Sequence, residues 1–188
     1  MMKLQGLILC GGESKRMGRD KGLIVENGQP WVKIVSNLFE ALEMEYFLSI
    51  NASQEMRYNK FFPSDQFIYD AVDAPGPLRG ILSAHNAFPE NNWLILACDM
   101  IEMKGETIKN IIDKVAQNPD YDYWIYKNPS FFEPFCGIYS ARGLHKLVEE
   151  YQHGDLSGFS MQNVFKHAAV FCCPTAGHQS SFKNFNQI

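Results

Sequence analysis

An apolar run, Leu7 to Cys10, breaks off at Gly11-Gly12, and a loop with four basic side chains within seven residues follows: Lys15, Arg16, Arg19 and Lys21. The run is short and continuous, so it reads as a buried strand over Gly6 to Cys10. Adjacent glycines let the backbone turn tightly and bring its N–H groups close to a ligand that a side chain would keep away. Basic side chains just beyond them offer charge to whatever sits there. Strand, glycine turn and basic loop together suit a polyphosphate. The competing reading is a strand followed by a solvated basic loop. The stretch fits neither G-x-x-x-x-G-K-[ST] nor G-x-G-x-x-G, so neither common nucleotide fingerprint applies.

The rest of the chain alternates two periodicities. Trp31, Ile34, Val35, Leu38 and Leu42 recur at helical spacing after Pro30, giving an amphipathic helix over Trp31 to Leu42. Tyr46 to Ile50, Phe67 to Tyr69 and Trp93 to Ala97 read as further strands, and Leu78 to Phe88 and the region around Ile108 to Val115 as helices. A short helical piece is expected before Pro63. Beyond residue 120 the expected elements are strands at Asp122 to Tyr126 and Pro134 to Ser140, then a helix marked by Leu144, Leu147, Val148 and Tyr151. A weaker helix around Ser160 to Phe165, a strand at Ala168 to Cys172 and a short strand near Phe182 to Asn186 follow. Strands alternating with helices predict a mostly parallel sheet covered on both faces, with an antiparallel pair in the less regular C-terminal half. At 188 residues, without repeat or linker, this is one α/β domain: a three-layer α/β/α sandwich of Rossmann-like build.

In open α/β sheets ligands bind beyond the carboxyl ends of the strands. Four expected strands end in Gly11, Asn51, Asp70 and Asp99, so a parallel sheet would gather these residues at one crevice. Asn and Asp are also ordinary turn residues, which is the alternative for each alone. Asp99 follows the buried run Trp93 to Cys98 directly. Mg²⁺ is typically held by one or two carboxylates plus substrate phosphates and water, and an isolated carboxylate near a basic phosphate loop fits that pattern.

The opening stretch resembles the L-x-G-G-x-S-x-R-M-G-x-D-K signature of the MobA-type molybdenum cofactor guanylyltransferases. Leu9, Gly11, Gly12, Ser14, Arg16, Met17, Gly18, Asp20 and Lys21 fall in register with it. Asp73-Ala-Pro-Gly-Pro-Leu-Arg-Gly80 resembles the family's P-G-P-L-x-G segment, where Pro77 can open a helix and Gly80 allows close packing. Cys98-Asp99-Met100 resembles its C-D-x-P motif with Ile101 in place of proline. Glu133-Pro-Phe-Cys-Gly-Ile-Tyr139 is similar to a strand on the acceptor side, and Phe182-Lys-Asn-Phe-Asn186 to an F-x-N-x-N pattern.

The resemblance implies transfer of GMP from GTP to molybdenum-bearing molybdopterin, giving the guanine dinucleotide and pyrophosphate with Mg²⁺ as cofactor. It makes Arg16, Lys21 and Asp99 catalytic, with Asp99 the metal ligand. Leu9, Cys10, Gly11, Gly12, Lys21, Asn51, Asp70 and Asp99 would contact the nucleotide, and Asn184 and Asn186 the acceptor. The N-terminal part would thus bind nucleotide and the C-terminal part acceptor, within a single domain over residues 1–188. The two glycines favour guanine, since cytosine-using relatives tend to carry alanine then glycine. Alternatives are a cytidylyltransferase for the same cofactor, a sugar-phosphate nucleotidyltransferase, or a non-catalytic nucleotide or pterin carrier.

A net charge of −4 argues against a nucleic-acid surface. The five cysteines are odd in number and lack a C-x-x-C pair, as small core residues in a reducing compartment would be. No signal-peptide pattern precedes the first strand and no apolar run reaches membrane-spanning length. The expectation is a cytoplasmic monomer that contacts molybdoenzymes or cofactor chaperones transiently.

Overall fold

The computed structural model describes residues 3–11 and 20–183. In chain order its strands are β1 (Leu4–Leu9), β2 (Val25–Glu26), β3 (Gln29–Pro30), β4 (Tyr46–Ile50), β5 (Phe67–Tyr69), β6 (Asn92–Ala97), β7 (Tyr123–Lys127), β8 (Phe132–Tyr139) and β9 (Val170–Pro174). The helices are α1 (Trp31–Ala41), α2 (Glu55–Tyr58), α3 (Leu78–Ala87), α4 (Gly105–Gln117), α5 (Ala141–His153) and α6 (Met161–His167). Seven strands form one sheet in the order β5-β4-β1-β6-β8-β7-β9, and β2 and β3 make a separate short ribbon. Pairing is parallel throughout β5-β4-β1-β6 and again between β7 and β9. Within the seven-stranded sheet, among the described residues, β8 alone runs against its neighbours, β6 and β7. The α/β/α sandwich expected from the sequence is present, including its antiparallel element.

Strand alternation sorts the apolar residues into two cores. Ile8 and Cys10 face α1 and α4, packing with Val35, Phe39, Leu48, Ile108 and Ile111. Leu7 and Leu9 point the other way, onto Leu78, Ile81 and Ile95 under α3, with Leu144, Leu147 and Phe165 of α5 and α6 extending that layer. A fully buried Leu or Ile contributes about 1.5–3 kcal/mol by leaving water, so each face of the sheet fixes its helices independently. Local signals agree: Pro30 and Pro77 stand immediately before α1 and α3, and Ser140 caps α5 by accepting from the Gly143 N–H at 2.9 Å.

β8 contains a bulge. Its partners on β7 jump from Trp124–Ile138 to Tyr126–Glu133, and Cys136 takes a left-handed φ of 58°. A residue with a Cβ holds that conformation at a cost of about 1–3 kcal/mol, met here by surrounding packing. The Tyr139 hydroxyl donates to the Pro134 carbonyl at 2.7 Å across the bulge. The strand therefore bends, turning Glu133 to Phe135 towards the crevice beside β6. The expected strand near Phe182 is instead a 3₁₀ turn over Gln179–Phe182, because a hydroxyl clasp holds it: Thr107 Oγ1 lies 2.8 Å from Ser181 Oγ and 3.0 Å from His178 Nδ1. Residues 184–186 of that expectation lie outside the described residues.

One buried histidine makes stability depend on pH. His85, in the last turn of α3, has no partner for Nδ1 among the described residues, and its ring meets His145 of α5 at 6.3 Å. Burial first, and the His145 charge second, lower its pKa, with Glu90 opposing. The folded state therefore keeps the ring neutral while the unfolded chain takes up a proton near pH 6.5. Stability is full above pH 6.5 and falls as pH drops from there towards the lowered folded value. Melting temperatures between pH 8 and 5 should fall more steeply for the wild type than for His85→Gln; parallel curves would remove His85 as the cause.

Candidate functional site

Because β5, β4, β1 and β6 are parallel, their carboxyl ends share one edge of the sheet. Gly11, Asn51, Asp70 and Asp99 lie along that edge. Gly12 and Arg16, expected at the phosphates, and Asn184 and Asn186, expected at the acceptor, lie outside the described residues. The backbone of β1 is drawn tightly into the edge: the N–H groups of Cys10 and Gly11 both donate to the Ser49 carbonyl, at 2.9 and 3.0 Å, and the Cys98 N–H donates to the Leu9 carbonyl at 3.2 Å. The Gly11 N–H is therefore engaged inside the sheet. The Cys10 thiol is buried too. It donates to the Ile8 carbonyl at 3.6 Å, and burial together with the neighbouring Cys98 thiol holds its pKa well up.

The reason for glycine at position 11 is steric. A Cβ there would stand 2.1 Å from Oδ2 of Asp70, whose carboxylate lies over the turn. Ser49 Oγ donates to Asp70 Oδ1 at 2.7 Å, and below it a Cβ on Gly80 would meet that same hydroxyl at 2.3 Å. Gly11, Asp70, Ser49 and Gly80 thus form one tight column across β1, β4, β5 and α3. Burial raises the Asp70 pKa, while the Ser49 bond and then Arg79 work against the rise. The loop after Asp70 is fixed from below by Ser83 Oγ, which accepts from the Ala71 and Val72 N–H groups at 2.9 and 3.1 Å. Arg79 Nε reaches the Ala74 carbonyl at 3.1 Å, and the Tyr151 hydroxyl reaches that of Asp73 at 2.6 Å. Asn51 is exposed, and its side-chain oxygen caps its own 3₁₀ turn by accepting from Ser53 N–H at 3.0 Å.

Across the groove, Asp20 is the hub that places Lys21. Its side chain is only 5% exposed and accepts from Tyr58 Oη at 2.9 Å and Gln54 Nε2 at 2.7 Å, with Arg57 at 3.4 Å. Gln54 also donates to the Cys10 carbonyl at 3.2 Å, and its own oxygen takes the Asn51 N–H at 2.7 Å. One glutamine therefore ties the strand end, the Asn51 cap and Asp20 together. Burial, and then the Cys10, Cys98 and Asp20 groups, push the Tyr58 pKa far up, so the phenol remains a donor. Lys21 Nζ in turn meets Asp99 Oδ2 at 3.0 Å, with both side chains part-exposed. An ammonium group and a carboxylate thus stand together at the mouth.

Asp99 is a single carboxylate, and the described residues contain no group of three or more His, Cys, Asp or Glu side chains able to hold a metal. That donor set fits an ion such as Mg²⁺, whose remaining ligands are phosphate oxygens and water. From Asp99 a cavity of about 300 Å³ opens towards the β8 bulge, walled by Met100, Phe131 to Phe135, Gln162 and Phe182.

Asp20, Gln54 and Tyr58 entered no expected set of site residues. Asn51-x-x-Gln54 is a capping-box spacing, and that signal marks Gln54. Nothing local in the sequence marks Tyr58, which comes to Asp20 through the fold.

Residues 6–169 match the family model described as the MobA-like NTP transferase domain. Among curated proteins, the molybdenum cofactor guanylyltransferase of Pseudomonas entomophila is 31% identical, with 96% of this chain and 92% of that protein aligned. That of Pseudomonas putida strain GB-1 is 30% identical over 96% and 91%. The Synechocystis molybdenum cofactor biosynthesis bifunctional protein is 31% identical over 89% of this chain, which spans about half (51%) of that relative's length. Among solved structures, molybdopterin-guanine dinucleotide biosynthesis protein A from Archaeoglobus fulgidus has the same fold, with a TM-score of 0.76, 20% identity and coverage of 97% and 92%.

Proposed function

The chain belongs to the family of MobA-like NTP transferases, and on that premise we propose that it transfers GMP from GTP to molybdenum-bearing molybdopterin. A phosphate oxygen of the acceptor attacks the α-phosphorus, the bond to the bridging oxygen breaks, and pyrophosphate leaves with that electron pair. The nucleophile is already ionised, so the chain's task is positioning and charge stabilisation rather than proton transfer. The observation that carries the reading is the Lys21–Asp99 pair at 3.0 Å, standing where the strand ends meet the cavity. Lys21 turns its ammonium from Asp99 to the phosphates, and Asp99 is the residue that would hold a divalent ion, for which Mg²⁺ is our assignment. That ion, when bound, neutralises charge on the phosphate oxygens. Asp70 and the loop to Pro77 line the nucleotide side, and the cavity beyond Asp99 the acceptor side. Arg16, Gly12, Asn184 and Asn186 keep the roles that the family resemblance gives them.

A pure carrier has no need of a paired lysine and carboxylate at the mouth. Cytoplasmic residence as a monomer, with transient contacts to molybdoenzymes or cofactor chaperones, belongs to the same proposal. All five cysteines are free, as a reducing compartment requires.

The test is competition. With equal GTP and CTP, Mg²⁺ and molybdopterin, mass analysis should show the guanine dinucleotide in large excess. A cytosine product would transfer the reading to a cytidylyltransferase, and nucleotide binding without pyrophosphate release would reduce it to a carrier.

A further inference from the structure

The wall of the cavity beyond Asp99 carries a second carboxylate, Glu133, one of whose oxygens no described residue engages. Of the polar side chains on its wall, Asp99 pairs with Lys21. Gln162 is held on the backbone of Phe132: its Oε1 accepts from the Phe132 N–H at 2.9 Å and its Nε2 donates to the Phe132 carbonyl at 2.7 Å. Glu133 remains. Its Oε1 accepts from Asn128 Nδ2 at 3.1 Å, and among the described residues no hydrogen bond or ion pair reaches Oε2. The side chain is half-buried, and burial raises its pKa against the pull of Asn128. A carboxylate has about four lone-pair sites, and leaving them unfilled away from water is costly. The β8 bulge, held by Tyr139 and by the left-handed Cys136, keeps Glu133 in this position.

The surroundings define what fills those sites. Phe131, Phe132, Phe135 and Phe182 make the wall largely aromatic, and among the described residues no lysine or arginine lines it, the nearby Lys127 Nζ lying over the Phe132 ring at 4.7 Å from its centroid. A ligand end there is flat, apolar on its faces and rich in N–H donors on one edge. We infer that Glu133 is the residue that recognises the ring end of the acceptor, its carboxylate taking the two adjacent N–H donors of an aminopyrimidinone edge. Two parallel N–H groups match a carboxylate fork as a guanidinium does. The ring end then lies at Glu133 and the acceptor's phosphate at the Asp99 mouth, so one cavity sets both identity and direction of attack. This rests on the transfer reading above and adds to it the feature of the acceptor that is read.

Two small probes test it on the intact chain. Pterin, 2-amino-4-oxopteridine, carries the paired donors; lumazine, the 2,4-dioxo analogue, turns a carbonyl to the carboxylate instead. In fluorescence titrations the wild type should bind pterin at least about tenfold more tightly than lumazine, because the mismatch leaves buried polar groups unpaired. Glu133→Gln keeps the shape but offers one acceptor and one donor. It should lose that preference while GTP affinity and melting temperature stay at wild-type values. Equal affinity for the two probes in the wild type, absence of pterin binding, or a preference that survives in Glu133→Gln overturns the assignment. The transfer assay separates the two readings: GMP transfer by Glu133→Gln with an unchanged acceptor KM overturns this inference alone. A wild type that prefers pterin yet transfers no GMP overturns only the transfer reading.

Discussion

Asp99→Asn is expected to lose about 10²–10³ in kcat/KM for nucleotidyl transfer while melting within a few degrees of the wild type. The rate effect follows from losing the carboxylate that would hold the divalent ion, whose charge on the transferring phosphates is the kind of electrostatic stabilisation worth that factor where it has been dissected. The stability effect is small because the Lys21–Asp99 pair is part-exposed, and such pairs contribute about 0–1 kcal/mol. Lys21→Ala should lose a similar factor. The double variant should be little worse than either single one, since two groups acting at one point are not additive. A kinetic series with GTP and Mg²⁺ held at saturation decides this. Near-normal turnover by Asp99→Asn would reassign the carboxylate to a purely structural ion pair.

Asp20→Ala should do the opposite on the stability axis. It strips the partner from the buried Tyr58 hydroxyl, from one Gln54 contact and from Arg57. Leaving buried hydrogen-bond partners unsatisfied costs about 1–3 kcal/mol for each group. Taking 3 kcal/mol, a chain of this size should melt roughly 6–12 °C lower. Lys21, the next residue, loses its anchor as well, so kcat/KM should fall even when assayed well below both melting temperatures. Asp20→Asn keeps the volume and one acceptor and should fall between. An Asp20→Ala protein with unchanged melting would show the network to be dispensable, and full activity in a destabilised variant would separate it from Lys21.

Most of the fold was legible because its signals are local. Apolar runs of strand length, and the helical spacing over Trp31 to Leu42, needed no tertiary information, and α1 ends at Ala41, one residue short of that reading. Boundaries drifted where pairing decides them. β8 begins at Phe132 rather than Pro134, because Phe132 pairs with Lys127 before the bulge, and β9 ends at Pro174 beside that same lysine. The site divides the same way. Strand-end residues announced themselves by position, so Asp70 and Asp99 could be named in advance. The use of the Gly11 N–H could not be, since its acceptor, Ser49, lies on another strand. Asp20 stood in the signature, but its burial depends on Tyr58 and Gln54 arriving from α2 and the turn before it. Glu133 lies in the segment that resembles the acceptor-side strand, yet its exposure to the cavity is the work of a bulge that no local residue pattern announces.

The contact between Gly11 and the Asp70 carboxylate makes these two positions a single genetic unit. A methyl at 11 would fall 2.1 Å from Oδ2, so the sign of a mutation at one position is set by the residue at the other. With aspartate at 70, alanine at 11 is harmful; with glycine at 70, the same alanine fills an empty space. Such sign epistasis closes the single-step route to an alanine-glycine turn unless the Asp70 carboxylate is first moved or replaced. Any drift that uses this turn must therefore pass through a chain in which the Asp70 carboxylate has left its place beside position 11.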